Sequence, residues 1–268
     1  MGLRVLNVGR VTAAERAARA EMCGLAVMAK APRAGRVKTR LSPSLTAEQA
    51  AGLNVCFLQD TLENLVGLGG AEGQRAAGLV CYTPTGDEEL FAGVAPEGFA
   101  LVAQREGDFG QRLLGAAEDI LACGFGSVCL IDSDSPTVPP AAYERAVREL
   151  EREGERIVLG PAQDGGYYLI GMKRARAEVF AGIAWSTATV FAETCERARA
   201  AELEVVELPL WYDVDDGATL EILKAELLAG IRPGFAVMDG YGARWTREFL
   251  MGMGAATART LRVEEPVE

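Results

Sequence analysis

Short apolar runs separated by stretches of helical periodicity recur along this chain from Leu25 to about Leu228. Leu25 to Ala29 reads as a buried strand. Thr46 to Leu68 reads as a helix, with Leu53, Phe57, Leu58, Leu62 and Leu65 at helical spacing. Gly78 to Thr83 and Phe99 to Gln104 are strand-like, and Asp87 to Ala92 is a helical turn or two. Asp108 to Cys123 is a helix. Val128 to Ile131 is a strand apolar on both sides, and Pro139-Pro140 opens a helix through about Glu153. Ile157 to Leu159 and Tyr167 to Met172 are strands. Ser186 to Ala201 is helical, Val205 to Leu208 a strand, and Thr219 to Leu228 a helix. Such alternation predicts an α/β fold: a mainly parallel central sheet with helices on both faces.

The 268 residues suffice for one large α/β domain or two small ones. Residues 1–22 read as an N-terminal extension, 23–230 as the domain, and 231–268 as a C-terminal extension. Thr12 to Met22 forms a short amphipathic helix or a disordered stretch. The last residues, VEEPVE, read as a disordered acidic tail. No apolar run reaches transmembrane length, and the N-terminus lacks the long apolar core of a signal peptide. The six scattered cysteines form no CxxC pair and read as reduced thiols, so the cytoplasm is the expected compartment.

The chain carries 38 Asp+Glu against 27 Lys+Arg, which argues against a general nucleic-acid binder. It has no histidine, which excludes Ser-His-Asp and Cys-His catalysis, a histidine base and His-ligated zinc. A metal would be held by oxygens, which points to Mg²⁺ or Mn²⁺. Against this acidic background, Lys30, Arg33, Arg36, Lys38 and Arg40 crowd into KAPRAGRVKTR, just past the first apolar strand. A phosphate among them would relieve their repulsion, at the strand end where open α/β folds bind nucleotides. A solvated charged turn is the plainer alternative.

Three further segments carry candidate chemistry. Asp132 and Asp134 follow the buried strand ending at Ile131, and in extended chain both carboxylates face one side, as chelation of a cation on a diphosphate requires. A simple Asp-Ser-Pro turn would also explain them. Asp164-Gly165-Gly166 allows close backbone approach to a ligand, or a tight hairpin, and of Tyr167 and Tyr168 only one can line a pocket. Asp213, Asp215 and Asp216 crowd together, favouring a cation between them or a raised pKa, while Asp215 or Asp216 would also cap the Thr219 helix. In Trp185-Ser186-Thr187 a hydroxyl is expected to cap the following helix, and the indole and hydroxyls would otherwise contact an acceptor. Neither a P-loop pattern nor a GxGxxG is met here.

Taken in order, MAKAPRAGRVKTRL, FLQDTL, QREGDFGQRL, IDSDSPTVP, GPAQDGGYYLIG, WST and WYDVDD resemble the radical-SAM/selenodomain-associated glycosyltransferase-like family of the nucleotide-diphospho-sugar transferase superfamily, which has the GT-A fold. The basic loop is more distantly similar to that of phospholactate guanylyltransferases, although SDSP and DGGYY depart from their pattern. The resemblance implies a metal-dependent transferase that binds a nucleotide or nucleotide sugar and an acceptor, with Mg²⁺ or Mn²⁺. It implies phosphate contacts from Lys30, Arg33, Lys38 and Arg40, and a metal ligand in Asp134. Asp132 would touch ribose or metal. Asp164, Gly165 and Gly166 would line the donor or acceptor pocket. Asp213 and Asp215 would supply a second metal ligand or a base. In an inverting glycosyl transfer, Asp164 or Asp213 would deprotonate the acceptor. Nucleotidyl transfer from an NTP with release of pyrophosphate is the alternative reaction. A non-catalytic nucleotide-sensing domain is a third possibility.

Overall fold

The computed structural model describes residues 4–68 and 75–263, with side chains through Met253. Strands β1 (Arg4–Val5), β2 (Cys23–Lys30), β3 (Ala76–Thr83), β4 (Ala100–Ala103), β5 (Ser127–Ile131), β6 (Arg156–Pro161), β7 (Tyr167–Met172) and β8 (Glu204–Glu207) form one sheet in the order β1-β4-β3-β2-β5-β7-β6-β8. Every pairing is parallel except those that β7 makes with β5 and β6. The expected mainly parallel α/β sheet is therefore present.

The alternation of side chains along each strand splits the interior into two layers. Leu25, Val27 and Ala29 of β2, with Cys129 and Ile131 of β5, face one layer. Ala26 of β2, with Val128 and Leu130 of β5, faces the other. The first layer is covered by α2 (Ala47–Val66), α4 (Pro140–Glu151) and α7 (Gly217–Ala229), through residues such as Phe57, Leu62, Tyr143 and Leu223. The second is covered by α3 (Phe109–Ala122), the short α5 (Ala177–Phe180) and α6 (Val190–Ala200), through Leu113, Ile120, Val179 and Ala198.

The helix starts follow local chemistry. Thr46 and Gln49 form a capping box on α2, as do Asp108 and Gln111 on α3 and Asp216 and Thr219 on α7. Pro140 supplies the first residue of α4, where a missing N–H costs nothing.

Three segments depart from expectation. No strand is legible before Leu25, yet β1 pairs with β4 at the sheet edge. It is two residues long and exposed, held by backbone hydrogen bonds and not by burial, so it leaves no apolar pattern. Between it and β2, α1 (Ala13–Arg19) is capped by Thr12 and Glu15. The Ser186 or Thr187 cap is overturned: α6 begins at Val190 after Thr189, and Ser186 has φ +64. The third is α8 (Arg244–Val263), a continuous helix within the stretch read only as a C-terminal extension. It docks on α2, where a side chain at Gly52 would come within 2.9 Å of the Phe249 ring. Asp60 of α2 accepts hydrogen bonds from the backbone N–H groups of Trp245 (3.0 Å) and Thr246 (2.8 Å), which caps the new helix from a neighbouring one. The expected acidic tail, from residue 264 onward, lies outside the described residues.

Candidate functional site

All strands but β7 point the same way, so one edge of the sheet collects the carboxyl ends of β2, β5, β6 and β8. The loops after them are the segments singled out above: residues 30–40, 132–136, 162–166 and 211–216. Ligands in open α/β sheets bind at this edge.

Two adjoining recesses open there. A pocket of about 250 Å³ is lined by Lys30, Arg36, Lys38, Arg40, Asn54, Ser133, Asp134 and Asp215. A cleft of about 520 Å³ is lined by Asp132, Asp134, Asp164, Gly166, Tyr167, Trp185, Ser186, Asp213 and Asp215, with Arg40 and Phe109. The two share Arg40, Asp134 and Asp215. One is rich in cations, the other in carboxylates, and the shared residues stand where they meet.

Lys38 is the most constrained of these groups. Its backbone is left-handed, at φ +49, and its side chain is only 4% exposed. The ammonium donates to Asp134 Oδ1 at 2.7 Å, Asp215 Oδ1 at 2.9 Å and the Val214 carbonyl at 2.7 Å. The pair of carboxylates outweighs the cost of burial and holds its pKa above the ordinary value. Arg40 lies 3.7 Å from the other Asp215 oxygen. A backbone bond from Val214 N–H to Asp134 O, 2.9 Å, ties the two acidic turns together.

Asp132 and Asp213 lie deeper. Asp132 Oδ2 accepts from Ser135 Oγ at 2.7 Å, while Oδ1 is buried without a hydrogen-bond partner. Burial first, then the Asp134 charge, pushes its pKa well above the carboxylate range. Burial, then the charges of Asp164 and Asp215, raises Asp213 to about 6. Asp164 Oδ1 accepts the Gly166 N–H at 2.7 Å and so braces the β6–β7 hairpin.

The aromatic rim of the cleft is built by close packing. Gly165 has φ +90, and a Cβ there would lie 2.1 Å from the Ala188 carbonyl oxygen, so only glycine lets the hairpin press against the 185–188 loop. A Cβ at Gly110 would lie 2.8 Å from Trp185 Nε1. With α3 so close, Phe109 meets Trp185 edge to face, centroids 5.1 Å apart. Of the paired tyrosines, Tyr167 lines the cleft, and Tyr168 is core, donating to Pro209 O at 2.9 Å.

The fold thus brings together Lys30, Lys38, Arg40, Asp132, Asp134, Asp164, Gly166, Asp213 and Asp215, with Gly165 behind them. It does not bring in Arg33, whose guanidinium pairs with Asp87 at 2.6 Å on the surface and reaches neither recess. Among the described residues no group of three or more acidic or thiol ligands stands ready to hold a metal. The donors still suit one: Asp134 and Asp215 are both oxygen ligands, and Mg²⁺ is commonly bound through one or two carboxylates plus substrate phosphates. Asn54, Ser133 and Phe109 were not assigned to the site from sequence. Phe109 had a signal in its place beside a helix cap, where an apolar residue can stand free of the core.

Residues 70–187 match the family model described as "Uncharacterized protein conserved in bacteria (DUF2064)". The solved structure of a protein described as a "putative nucleotide-diphospho-sugar transferase" from Desulfovibrio desulfuricans G20 is 31% identical, with a TM-score of 0.71, over 87% of this chain and 95% of that one. The chain belongs to that protein's family. Other solved structures resemble this family member less closely. A CMP:2-keto-3-deoxy-manno-octonic acid synthetase bound to CTP matches at 13% identity and TM-score 0.49, over 78% of this chain and all of that one. A 4-diphosphocytidyl-2C-methyl-D-erythritol synthase from Anaerococcus prevotii DSM 20548 matches at 10% identity and TM-score 0.49, over 79% and 99%. At those scores neither carries weight here. No curated protein sequence matches the chain. Among the described residues of this family member, no helix is long and apolar enough to cross a membrane.

Proposed function

We propose that the protein is a metal-dependent transferase that binds a nucleotide-diphospho-sugar and passes the glycosyl group to an acceptor. The observation that carries this reading is the junction of a cationic pocket with a carboxylate-rich cleft through Arg40, Asp134 and Asp215. The donor's diphosphate belongs among Lys30, Arg36, Lys38 and Arg40, where charge-assisted hydrogen bonds are available. Asp134 and Asp215 would hold Mg²⁺ or Mn²⁺, which when bound neutralises charge on the leaving diphosphate. The description of the Desulfovibrio relative as a nucleotide-diphospho-sugar transferase supports the choice of donor class.

The acceptor belongs in the cleft between the Phe109–Trp185 rim and the carboxylates. Asp213 serves as base there. A carboxylate raised to about 6 is ionised at neutral pH yet more basic than an ordinary one. Asp164 is less suited, since it is already held by the Gly166 N–H.

Product analysis tests the reading. Incubation with nucleotide sugars, Mn²⁺ and candidate hydroxyl acceptors is expected to release nucleoside diphosphate. Release of pyrophosphate from an NTP instead would make the protein a nucleotidyltransferase and overturn the glycosyl assignment.

A further inference from the structure

Three oxygens from two separate turns converge on the Lys38 ammonium: Asp134 Oδ1, Asp215 Oδ1 and Val214 O, at 2.7, 2.9 and 2.7 Å. Two are charged, and the third is a carbonyl, so the set is one that a divalent cation would also accept. The arrangement is built. Lys38 keeps a left-handed backbone that its residue type disfavours, and its side chain is almost wholly buried, with the ammonium 5.6 Å above the Phe57 ring. An ammonium has three N–H donors and here meets three acceptors, leaving none for a phosphate.

These facts sit awkwardly with a lysine that only grips phosphate. We propose that Lys38 and a divalent cation exchange places: in the free protein the Lys38 ammonium fills the three-oxygen site, and it turns to the nucleotide phosphates when the cation takes Asp134 and Asp215. The inference rests on the metal-site reading given under Proposed function. Metal–oxygen distances of about 2.0–2.1 Å are shorter than those to the ammonium, so the two turns need to draw in by less than about 1 Å.

The exchange has an energetic consequence. A metal arriving alone must displace a buried ammonium whose three hydrogen-bond acceptors are these oxygens. A nucleotide arriving alone must draw that ammonium away and leave two carboxylates facing each other. Together each supplies what the other removes. Metal and nucleotide therefore tighten one another's binding, by the same factor in both directions.

The test is Mn²⁺ binding without nucleotide, read as loss of the free-ion electron paramagnetic resonance signal. Wild type is compared with Lys38→Met and with Lys38→Gln, whose amide keeps hydrogen bonding in place should the first variant fold poorly. Both variants are expected to bind Mn²⁺ about tenfold more tightly than wild type, within the roughly 5- to 150-fold span of typical site–site coupling. A panel of nucleoside diphosphates is expected to tighten Mn²⁺ binding by a smaller factor in the variants than in wild type. Equal or weaker Mn²⁺ affinity in both variants overturns the exchange. The parallel control is Asp134→Asn with Asp215→Asn. If that double variant binds Mn²⁺ as wild type does, or if no protein binds it with any nucleoside diphosphate, the metal assignment itself falls, a result distinct from failure of the exchange alone.

Discussion

Phe109 and Trp185, 76 positions apart in the chain, meet edge to face at an interplanar angle of 79°. Phe109 opens α3 and is 43% exposed, and Arg112 lies over its ring at 5.5 Å. On the proposed reading this pair, with Phe109 exposed and Trp185 half-buried, would serve as the acceptor's recognition surface beside the five carboxylates of the cleft, because apolar ring faces fix a ligand's orientation while polar groups fix its register.

Phe109→Ala is expected to raise the acceptor KM by roughly three- to tenfold, from the 0.5–1.5 kcal/mol that such aromatic contacts contribute. Nucleotide affinity should be unchanged, because Phe109 does not line the cationic pocket. Parallel acceptor and donor titrations check the split.

Gly165→Ala should destabilise the fold by about 1–3 kcal/mol, the cost of a strained left-handed residue, and it forces the 185–188 loop away from the hairpin. Thermal melts read the first effect. Loss of acceptor-dependent turnover at a temperature where the variant remains folded reads the second.

Asp60→Ala removes the acceptor for two backbone N–H groups at the start of α8. Leaving such donors unsatisfied costs about 1–3 kcal/mol. Urea denaturation is expected to show that loss, and hydrogen exchange should rise first at Trp245 and Thr246. In FLQDTL, one of the motifs that carry the family resemblance, this aspartate serves the docking of α8.

How much was legible follows from range. The acidic pair after Ile131 could be read because a continuous apolar strand announces a sheet-edge turn, and the caps at Thr46, Asp108 and Asp216 are local events. The ion pair of Lys38 with Asp215 spans 177 positions and depends on a left-handed residue, neither of which a linear pattern reveals. Arg33 looked like its neighbours in the basic loop. Only the fold shows Asp87 drawing it aside. The same holds for β1, whose pairing is entirely backbone.

Asp213 gives a pH signature in the metal-free protein. Its pKa is 3.8 ordinarily and about 6 when folded, so the folded state binds the extra proton. Stability is therefore highest below pH 3.8 as far as this group is concerned, and its contribution is lost as pH rises through 6. Asp213→Asn should flatten the fall in stability across that window, which chemical denaturation at several pH values would show.

The central claim is that a nucleotide's phosphates occupy the pocket formed by the basic loop. Calorimetric titration of nucleoside diphosphates with Mn²⁺, into wild type and into a variant carrying Arg36→Ala and Arg40→Ala, tests it most directly. Wild type should bind at least one of them, and the variant should bind it roughly ten- to a hundredfold more weakly, as loss of charged hydrogen bonds worth about 1.5–3 kcal/mol requires. Undiminished affinity in the variant would contradict the account.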